Sequence, residues 1–298
     1  MKHISVCICT YKRPNLLKRL LNELDHQETE GLFDYSIVIV DNDKLKSAQD
    51  VALSFQELTK LNVKYCIEPE QNIALARNRA ICNAIGNLIA FIDDDEYPAK
   101  NWLLHLYTSI KKFKVDGVLG PVLPDFPIGA PEWLKKSKFC ERGRNTTGTL
   151  ISIIDARTGN ILIDRSIFET DDKWFDPSRG RTGGEDGEFL GRQMKKGRRF
   201  VWCDEALVFE TVPEERWSPS FYLKRSLRIG TITGEKMRRG RSLGIAMKSC
   251  ILFFGCVFLL PVSFLMRKHV WMRVVNKMCY EIGRLTSFIG LSLLRYRN

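Results

Sequence analysis

The stretch Leu88-Ile89-Ala90-Phe91-Ile92-Asp93-Asp94-Asp95-Glu96-Tyr97-Pro98 indicates both a strand and the chemistry at its end. Its five apolar residues lie between Gly86 and Pro98, which predicts a short buried strand. Three carboxylates follow directly. Carboxylate oxygens are preferred ligands of Mg²⁺ and Mn²⁺, which often bridge two substrate phosphates. The stretch therefore predicts a metal and diphosphate site at a strand end, with an acidic surface turn as the alternative.

Strands and helices alternate before this stretch. Strands are predicted at 3–9, 35–40 and 63–67, and helices after Pro14, around 51–58 and from Asn72 to Ile85. This alternation predicts a Rossmann-like, mostly parallel sheet flanked by helices. Ligands of such sheets bind beyond the carboxyl ends of the strands. We therefore expect Thr10, Tyr11, Asp41 and the aspartate triplet to converge there.

The composition is that of a globular protein. The chain has 298 residues, of which 44% are hydrophobic and 27% charged, and this excludes broad disorder. Its nine cysteines include no CxxC pair. Together with a strand that starts within three residues of Met1, this predicts a protein of the reducing cytoplasm.

The positive charge is concentrated at one end. The net charge is +11, yet the residues from Glu214 onward contain 16 Lys and Arg against 4 Asp and Glu. The preceding residues are nearly neutral. The tail is therefore expected to meet an anionic partner.

Four ordered motifs carry a family resemblance. They are TYKRP at 10–14, VIVDN at 38–42, EQNIALARN at 70–78 and IAFIDDDE at 89–96. Together they resemble family 2 inverting glycosyltransferases of GT-A fold, most of all the bacterial enzymes of exopolysaccharide or lipopolysaccharide biosynthesis. The resemblance implies a catalytic domain at 1–213, with a nucleotide-sugar half at 1–120 and an acceptor half at 121–213. Residues 214–298 would then be a helical, membrane-associated appendage.

The resemblance also implies which residues bind the donor. Thr10, Tyr11, Arg13 and Asp41 would hold the nucleotide, and Asp41 would accept a hydrogen bond from a uracil N–H, which implies a UDP-sugar. An Asx turn is the alternative for Asp41. In the aspartate triplet, Asp95 would ligate Mg²⁺ or Mn²⁺, and Asp93 and Asp94 would reach the metal through water or bind the ribose. Arg77 would stabilise the leaving diphosphate.

The acceptor half supplies the implied base. Gly183 and Gly184 lead into Glu185 and Asp186, which match the family's Glu–Asp pair. Asp186 would be the general base and Glu185 its neighbour or an acceptor contact. The alternative is a pair of acids favoured by a helix N-terminus. Glu210 stands near the position where several relatives have a metal-binding His.

The segment 121–158, with Lys135, Lys136 and Lys138, matches no motif. It is a candidate lid or acceptor loop.

The tail contains an apolar run of membrane length. Residues Ile245 to Met266 are apolar except Lys248, and 22 residues are long enough to cross a bilayer. Basic residues flank both ends, so we expect a segment that is broken at Pro261 and dips into the membrane or lies on it. In the last segment a charged stripe predicts an interfacial helix, with packing on the catalytic domain as the alternative. The stripe consists of Arg273, Lys277, Glu281, Arg284 and Arg295.

The resemblance implies a hexosyltransferase-like enzyme, and with the basic, apolar tail it implies a location at the cytoplasmic face of the inner membrane, peripheral or monotopic. It would be metal-dependent and would transfer a sugar from a UDP-sugar to a lipid-linked saccharide or polysaccharide. The alternatives are a non-catalytic nucleotide-sugar binder, a basic nucleic-acid-binding protein and a receiver-like phospho-acceptor. Nucleic-acid binding is disfavoured because the basic residues flank an apolar run rather than exposed aromatics. A receiver would end near residue 120.

Overall fold

The computed structural model describes residues 2–153, 155–171, 173–181, 183–240 and 243–291. These residues form two compact units. Unit 1 contains the residues up to Asp125 and Arg142–Thr211. Unit 2 contains Phe126–Glu141 and the described residues from Val212 onward. The segment 126–141 therefore packs with the basic tail.

Unit 1 alternates strands and helices. Its strands are β1 (Lys2–Thr10), β2 (Phe33–Asp41), β3 (Asn62–Ile67), β4 (Leu88–Ile92), β5 (Glu96–Pro98), β6 (Gly117–Leu119), β7 (Val122–Asp125), β8 (Asn160–Asp164), β9 (Phe200–Trp202) and β10 (Val208–Thr211). Its α-helices are α1 (Pro14–Leu24), α2 (Gln49–Leu58), α3 (Ile73–Asn83), α4 (Trp102–Phe113), α6 (Ser166–Glu169) and α7 (Glu185–Lys195). Helix α5 (Glu132–Ser137) belongs to unit 2.

Within the described residues, seven strands form the main sheet in the order β3-β2-β1-β4-β8-β6-β9. The first four strands are parallel, which confirms the predicted topology. Strand β8 pairs antiparallel with both β4 and β6. A smaller sheet has the order β5-β10-β7. It places β10, which carries Glu210, beside β5 directly after the aspartate triplet.

Helices cover both faces of the main sheet because its strands are apolar on both sides. Strand β4 is buried at every residue. Leu88, Ala90 and Ile92 share one core cluster with residues of α1, α2 and α4. Ile89 and Phe91 share the other with residues of α3 and α7. This two-sided burial holds the carboxyl end of β4, and the aspartates after it, in a fixed position.

Unit 2 is largely helical. Its longer helices are α8 (Pro219–Arg239), α9 (Leu243–Phe264) and α10 (Lys268–Phe288). Helix α9 continues through Pro261, so the predicted break there is wrong. Of the described residues, α9 alone is long and apolar enough to cross a membrane, and only 17% of its apolar window is buried.

Helices α8 and α10 approach closely through glycines. An ideal Cβ on Gly230 would lie 2.1 Å from the Tyr280 carbonyl oxygen, and one on Gly234 would lie 2.2 Å from that of Arg284. In return, a Cβ on Gly283 would lie 2.2 Å from the Leu227 carbonyl oxygen. Small residues four apart allow such contact between helix backbones, a pattern common in membrane helices.

The charged stripe of α10 does not form an outward face. Glu281 is fully buried, pairs with Lys277 at 2.7 Å and Arg284 at 3.4 Å, and accepts a hydrogen bond from Ser249 of α9. Arg273 donates to backbone carbonyls of α5. Neighbouring helices of unit 2 therefore cover part of the stripe, whereas Lys277 is 45% exposed, and an interfacial position of α10 stays a prediction. Arg295 lies outside the described residues.

Candidate active site

A cavity of about 820 Å³ lies at the carboxyl ends of β1 and β4. Most of the predicted donor residues line it. The lining residues are Cys9, Thr10, Tyr11, Arg13, Asn42, Gln71, Asn72, Ile73, Arg77, Asp93, Asp94, Asp95, Gly180 and Arg181. The structure thus brings together the loop after β1, the start of α3 and the whole aspartate triplet.

Arg13 and Thr10 hold the second and third aspartates. Thr10 Oγ1 donates to Asp94 Oδ2 at 2.8 Å. Arg13 Nη1 donates to Asp94 Oδ1 at 2.9 Å and to Asp95 Oδ2 at 3.0 Å. Burial raises the pKa of Asp94, and the Arg13 charge opposes that rise. The guanidinium therefore offsets part of the repulsion between two adjacent carboxylates.

Arg77 links the aspartate triplet to the acceptor half. Its guanidinium is 8% exposed, donates a hydrogen bond to Glu185 Oε1 and lies 3.6 Å from Asp93 Oδ1. The other Glu185 oxygen, Oε2, is buried without a hydrogen-bond partner in the described part of the chain. A buried acceptor without a donor is costly, so Glu185 Oε2 retains an unmet capacity to accept a hydrogen bond beside the Arg77 pair.

Asp93 has a perturbed pKa. The surrounding protein raises it to about 6, although the side chain is 45% exposed toward the cavity. Desolvation is the main cause, Arg77 opposes it, and the charges of Asp95 and Asp94 add to it. Such a shift is typical of carboxylates placed to interact with a ligand.

The carboxylate of Asp41 is held by hydrogen bonds within the protein. It is fully buried and does not line the cavity. Its Oδ1 accepts from the Asp43 N–H at 3.1 Å, and its Oδ2 from the Ala48 N–H at 2.8 Å and the Tyr65 hydroxyl at 3.0 Å. This is the Asx turn that the sequence left open. Both oxygens accept hydrogen bonds from the protein, and the uracil contact expected of Asp41 stays a prediction.

Two asparagines that were not predicted as site residues also line the cavity. Asn42 follows Asp41, and its Oδ1 accepts from the Asn72 N–H at 2.9 Å. Asn72 caps α3 by accepting from the Ala74 and Leu75 N–H groups. An asparagine directly before an apolar helix was the available signal for this cap. These hydrogen bonds fix the part of the cavity wall that Asn42 and Asn72 form.

Glu96, Arg142 and Glu210 form a second ionic cluster. Glu96 accepts from the Asp93 N–H at 3.2 Å and lies 3.9 Å from Arg142 Nη1. Arg142 Nη2 lies 2.5 Å from Glu210 Oε2. Burial, and the Asp93 charge, raise the pKa of Glu96 well above its usual range. Glu210, which the resemblance compared with a metal-binding His, therefore makes a salt bridge with Arg142.

Asp186 lies in the first turn of α7. Gly183 and Gly184, both with positive φ, lead into this helix. Asp186 is partly exposed and accepts a hydrogen bond from the Gly187 N–H at 2.7 Å. Its neighbour Glu185 reaches Arg77. The structure thus brings the predicted Glu–Asp pair next to the side chain that contacts Asp93.

The carboxylates fit a divalent cation only in part. Among the described residues, no three His, Cys, Asp or Glu side chains converge as a complete metal cage. Oxygens of Asp93 and Asp95 do face the cavity, with 45% and 21% of their side chains exposed. An ion held by one or two carboxylates, with substrate phosphates as further ligands, is compatible with this set.

Sequence similarity identifies the family of this chain. Residues 5–171 match the model of glycosyl transferase family 2. Over 237 residues the chain is 31% identical to the succinoglycan biosynthesis protein ExoM of Rhizobium meliloti (strain 1021), a match that covers 78% of this chain and 74% of ExoM.

Solved structures share the fold. TarS 1–349 of S. aureus, in complex with UDP-GlcNAc, matches with a TM-score of 0.57 and 19% identity over 100% of this chain and 93% of the 1–349 fragment. GalNAc-T7, bound to UDP, GalNAc and Mn²⁺, matches with a TM-score of 0.55 and 18% identity over 74% of this chain and 45% of its own. The fold is therefore the predicted GT-A type, and the chain belongs to glycosyl transferase family 2.

Proposed function

We propose that the protein transfers a sugar from a UDP-sugar to a lipid-linked saccharide, with inversion at the anomeric carbon. The observation that carries the proposal is the cavity at the ends of β1 and β4. Three carboxylates and three guanidinium groups line it, and Arg77 connects it to Glu185, the neighbour of Asp186. Cations that neutralise a diphosphate, beside acids that interact with hydroxyls, are what sugar transfer requires.

The donor occupies this cavity in our proposal. Tyr11 and the Asn42–Asn72 wall contact the uridine, and Thr10 and Asp94 contact the ribose. Arg13 and Arg77 bind the diphosphate, since guanidinium groups match phosphate oxygens in geometry and charge. The UDP-sugar complex of TarS, which shares the fold, supports this donor class.

We propose Mg²⁺ or Mn²⁺ as cofactor, held by Asp95 with help from Asp93. Bound there, the ion would supply positive charge to the departing diphosphate. Arg13 now contacts both Asp94 and Asp95. This guanidinium would balance the charge of these carboxylates and would lie close enough to bind a diphosphate oxygen. The Mn²⁺ complex of GalNAc-T7 supports a divalent ion in this fold.

Asp186 is the proposed general base. It accepts the proton of the acceptor hydroxyl as that oxygen bonds to the anomeric carbon, and the bond from that carbon to the diphosphate oxygen breaks in the same displacement. One displacement inverts the configuration. Glu185 positions the reacting groups through Arg77 and offers its unpartnered Oε2 to a sugar hydroxyl.

We further propose a saccharide acceptor at the cytoplasmic face of the inner membrane. The relative ExoM is named for succinoglycan biosynthesis, which supports a polysaccharide acceptor. The exposed apolar surface of α9 supports membrane contact. In this proposal residues 1–213 supply catalysis and residues 214–298 supply most of the membrane association.

Screening of the purified intact protein against nucleotide sugars tests the proposal. We expect one UDP-sugar to raise the melting temperature and to be slowly hydrolysed, with both effects dependent on Mn²⁺ or Mg²⁺. Nucleotide sugars with other bases serve as controls. Tight binding without hydrolysis or transfer would instead support the non-catalytic binder, and no response to any nucleotide sugar would contradict the proposal.

A further inference from the structure

Helix α5 packs against α10, although the two helices are far apart in the sequence. Arg273 Nε donates to the Ser137 carbonyl at 2.9 Å, and Arg273 Nη2 donates to that of Lys136 at 2.9 Å. Trp133 of α5 shares a hydrophobic cluster with Met272 of α10. The unassigned lysines at 135, 136 and 138 are thus anchored to the helical part of unit 2.

This packing gathers basic residues near the turn between α9 and α10. Lys268 Nζ of α10 lies 5.6 Å from the centre of the Trp133 ring, which is within cation–π distance. Glu132 and Glu141 pair with the lysines of this segment and only partly balance them. We call the following group the basic collar: Lys135, Lys136, Lys138, Arg267 and Lys268.

The collar residues are accessible. The side chains of Lys135, Lys136 and Lys138 are 38%, 55% and 66% exposed. Arg267 and Lys268 are exposed as well. Each lysine can therefore reach an anionic surface without breaking a buried contact.

Helix α9, which ends at the collar, is apolar on its outer face. Phe258 is 81% exposed, and Leu265, just after the helix, is 87% exposed. The buried residues of α9 are small: Ala246, Ser249 and Ser263. A helix with small and polar residues inside and large apolar residues outside is suited to lipid rather than water.

We propose that the basic collar and the outer face of α9 form one binding surface for an anionic phospholipid bilayer. The apolar residues of α9 enter the acyl region, and the α5 lysines contact lipid phosphates at its border. Charge near an apolar insertion is the combination that gives stable peripheral binding. This extends the membrane contact of the proposed function to a segment outside the tail, and it does not depend on catalysis.

Vesicle flotation of the intact protein tests the proposal with three proteins. The first is the wild type, the second carries Lys135→Glu, Lys136→Glu and Lys138→Glu, and the third is a control with Lys44→Glu, Lys60→Glu and Lys112→Glu on exposed sites of unit 1. Vesicles of phosphatidylcholine alone are compared with vesicles containing phosphatidylglycerol. We expect the α5 variant to bind phosphatidylglycerol vesicles at least about tenfold more weakly than the control. Equal binding by the two variants would overturn the role of α5.

A second variant separates the apolar contribution. Phe258→Asp places a charge on the outer face of α9 and should weaken binding to both kinds of vesicle. Unchanged binding of this variant would overturn insertion of α9. Far-UV circular dichroism and thermal unfolding verify that each variant is folded. If the triple lysine-to-glutamate variant of α5 fails to fold, the neutral triple variant Lys135→Gln, Lys136→Gln, Lys138→Gln replaces it. UDP-sugar hydrolysis, which tests the proposed function, should be unchanged in the α5 variant, so the two ideas can fail independently.

Discussion

Both units contain a buried ion pair, but the two pairs lie in different surroundings. In unit 1 the Arg77–Glu185 pair lies at the edge of an apolar core, beside a cavity open to solvent. In unit 2 the buried Glu281 pairs with Lys277 and Arg284 and accepts a hydrogen bond from Ser249, while large apolar residues of α9 are exposed. The same kind of ion pair therefore serves a ligand site in unit 1 and helix packing in unit 2.

This difference supports the membrane contact that we propose for unit 2. A protein in water places most apolar side chains inside and leaves charge outside, as unit 1 does. Helices in lipid gain nothing by hiding apolar residues from one another, so small and polar residues form their contacts. Unit 2 follows the second pattern at α9 and α10. The comparison predicts that catalytic and membrane properties can be changed separately.

The largest expected effect is on catalysis. Asp186→Asn removes the proposed base and should lower kcat by about 10²–10⁴-fold, since that is the usual contribution of a general base. UDP-sugar binding, measured by calorimetry, and vesicle binding, measured by flotation, should stay near wild type. A kcat within a few fold of wild type would show that another group accepts the proton.

Breaking the buried ion pair of unit 1 should strongly destabilise the fold. Arg77→Met leaves Glu185 charged and unpaired, and removal of one partner of a buried pair costs about 3–5 kcal/mol. The double variant Arg77→Met, Glu185→Met should recover a large part of that loss in chemical unfolding of the purified protein. A single variant as stable as wild type would mean that the pair is solvated.

The glycine contacts of unit 2 offer a matched comparison. Gly234→Ala places a methyl group against the Arg284 carbonyl and should destabilise the α8–α10 pair by about 1–3 kcal/mol. Gly255→Ala on α9, where nothing lies within 4 Å, should stabilise its helix by about 0.5–1 kcal/mol. Thermal unfolding in detergent measures both. Equal effects of the two substitutions would contradict close α8–α10 packing.

The smallest effect depends on pH. The pKa of Asp93 in the folded protein, about 6, exceeds its usual 3.8. The contribution of this carboxyl to stability is therefore complete below pH 3.8 and is lost as the pH rises through 6. Asp93→Asn cannot ionise, so without metal it should exceed wild type in stability by about 1 kcal/mol at pH 8, a value reduced for the 45% exposure. The difference should vanish near pH 4 in urea unfolding, and a constant difference would contradict the shift.

Much of unit 1 could be predicted because its signals are local. The leucines of α1, the apolar run of β4 and Pro14 at the start of α1 each determine their element from neighbouring residues. The antiparallel strand β8 could not be predicted in the same way. Its five residues pair with β4, more than sixty positions earlier. Pairing between segments so far apart produces no periodic pattern in the sequence.

Unit 2 and Asp41 show where sequence patterns are insufficient. A helical wheel located the charged stripe of α10 correctly but could not tell whether water or α5 and α9 would cover it. Helix α9 tolerates Pro261 where a break was expected. Asp41 ends its strand as predicted, yet the N–H groups of Asp43 and Ala48 occupy its oxygens. In each case the outcome depended on partners outside the motif.

The most direct test is a crystal structure of the intact protein, purified in detergent, with UDP and Mn²⁺. Anomalous scattering locates the manganese without ambiguity. The account predicts an Mn²⁺ ion within about 2.2 Å of an Asp95 carboxylate oxygen, with the UDP diphosphate bound to the ion and to Arg13 or Arg77. Clear density for UDP and Mn²⁺ at a place away from Asp93, Asp94 and Asp95 would contradict it.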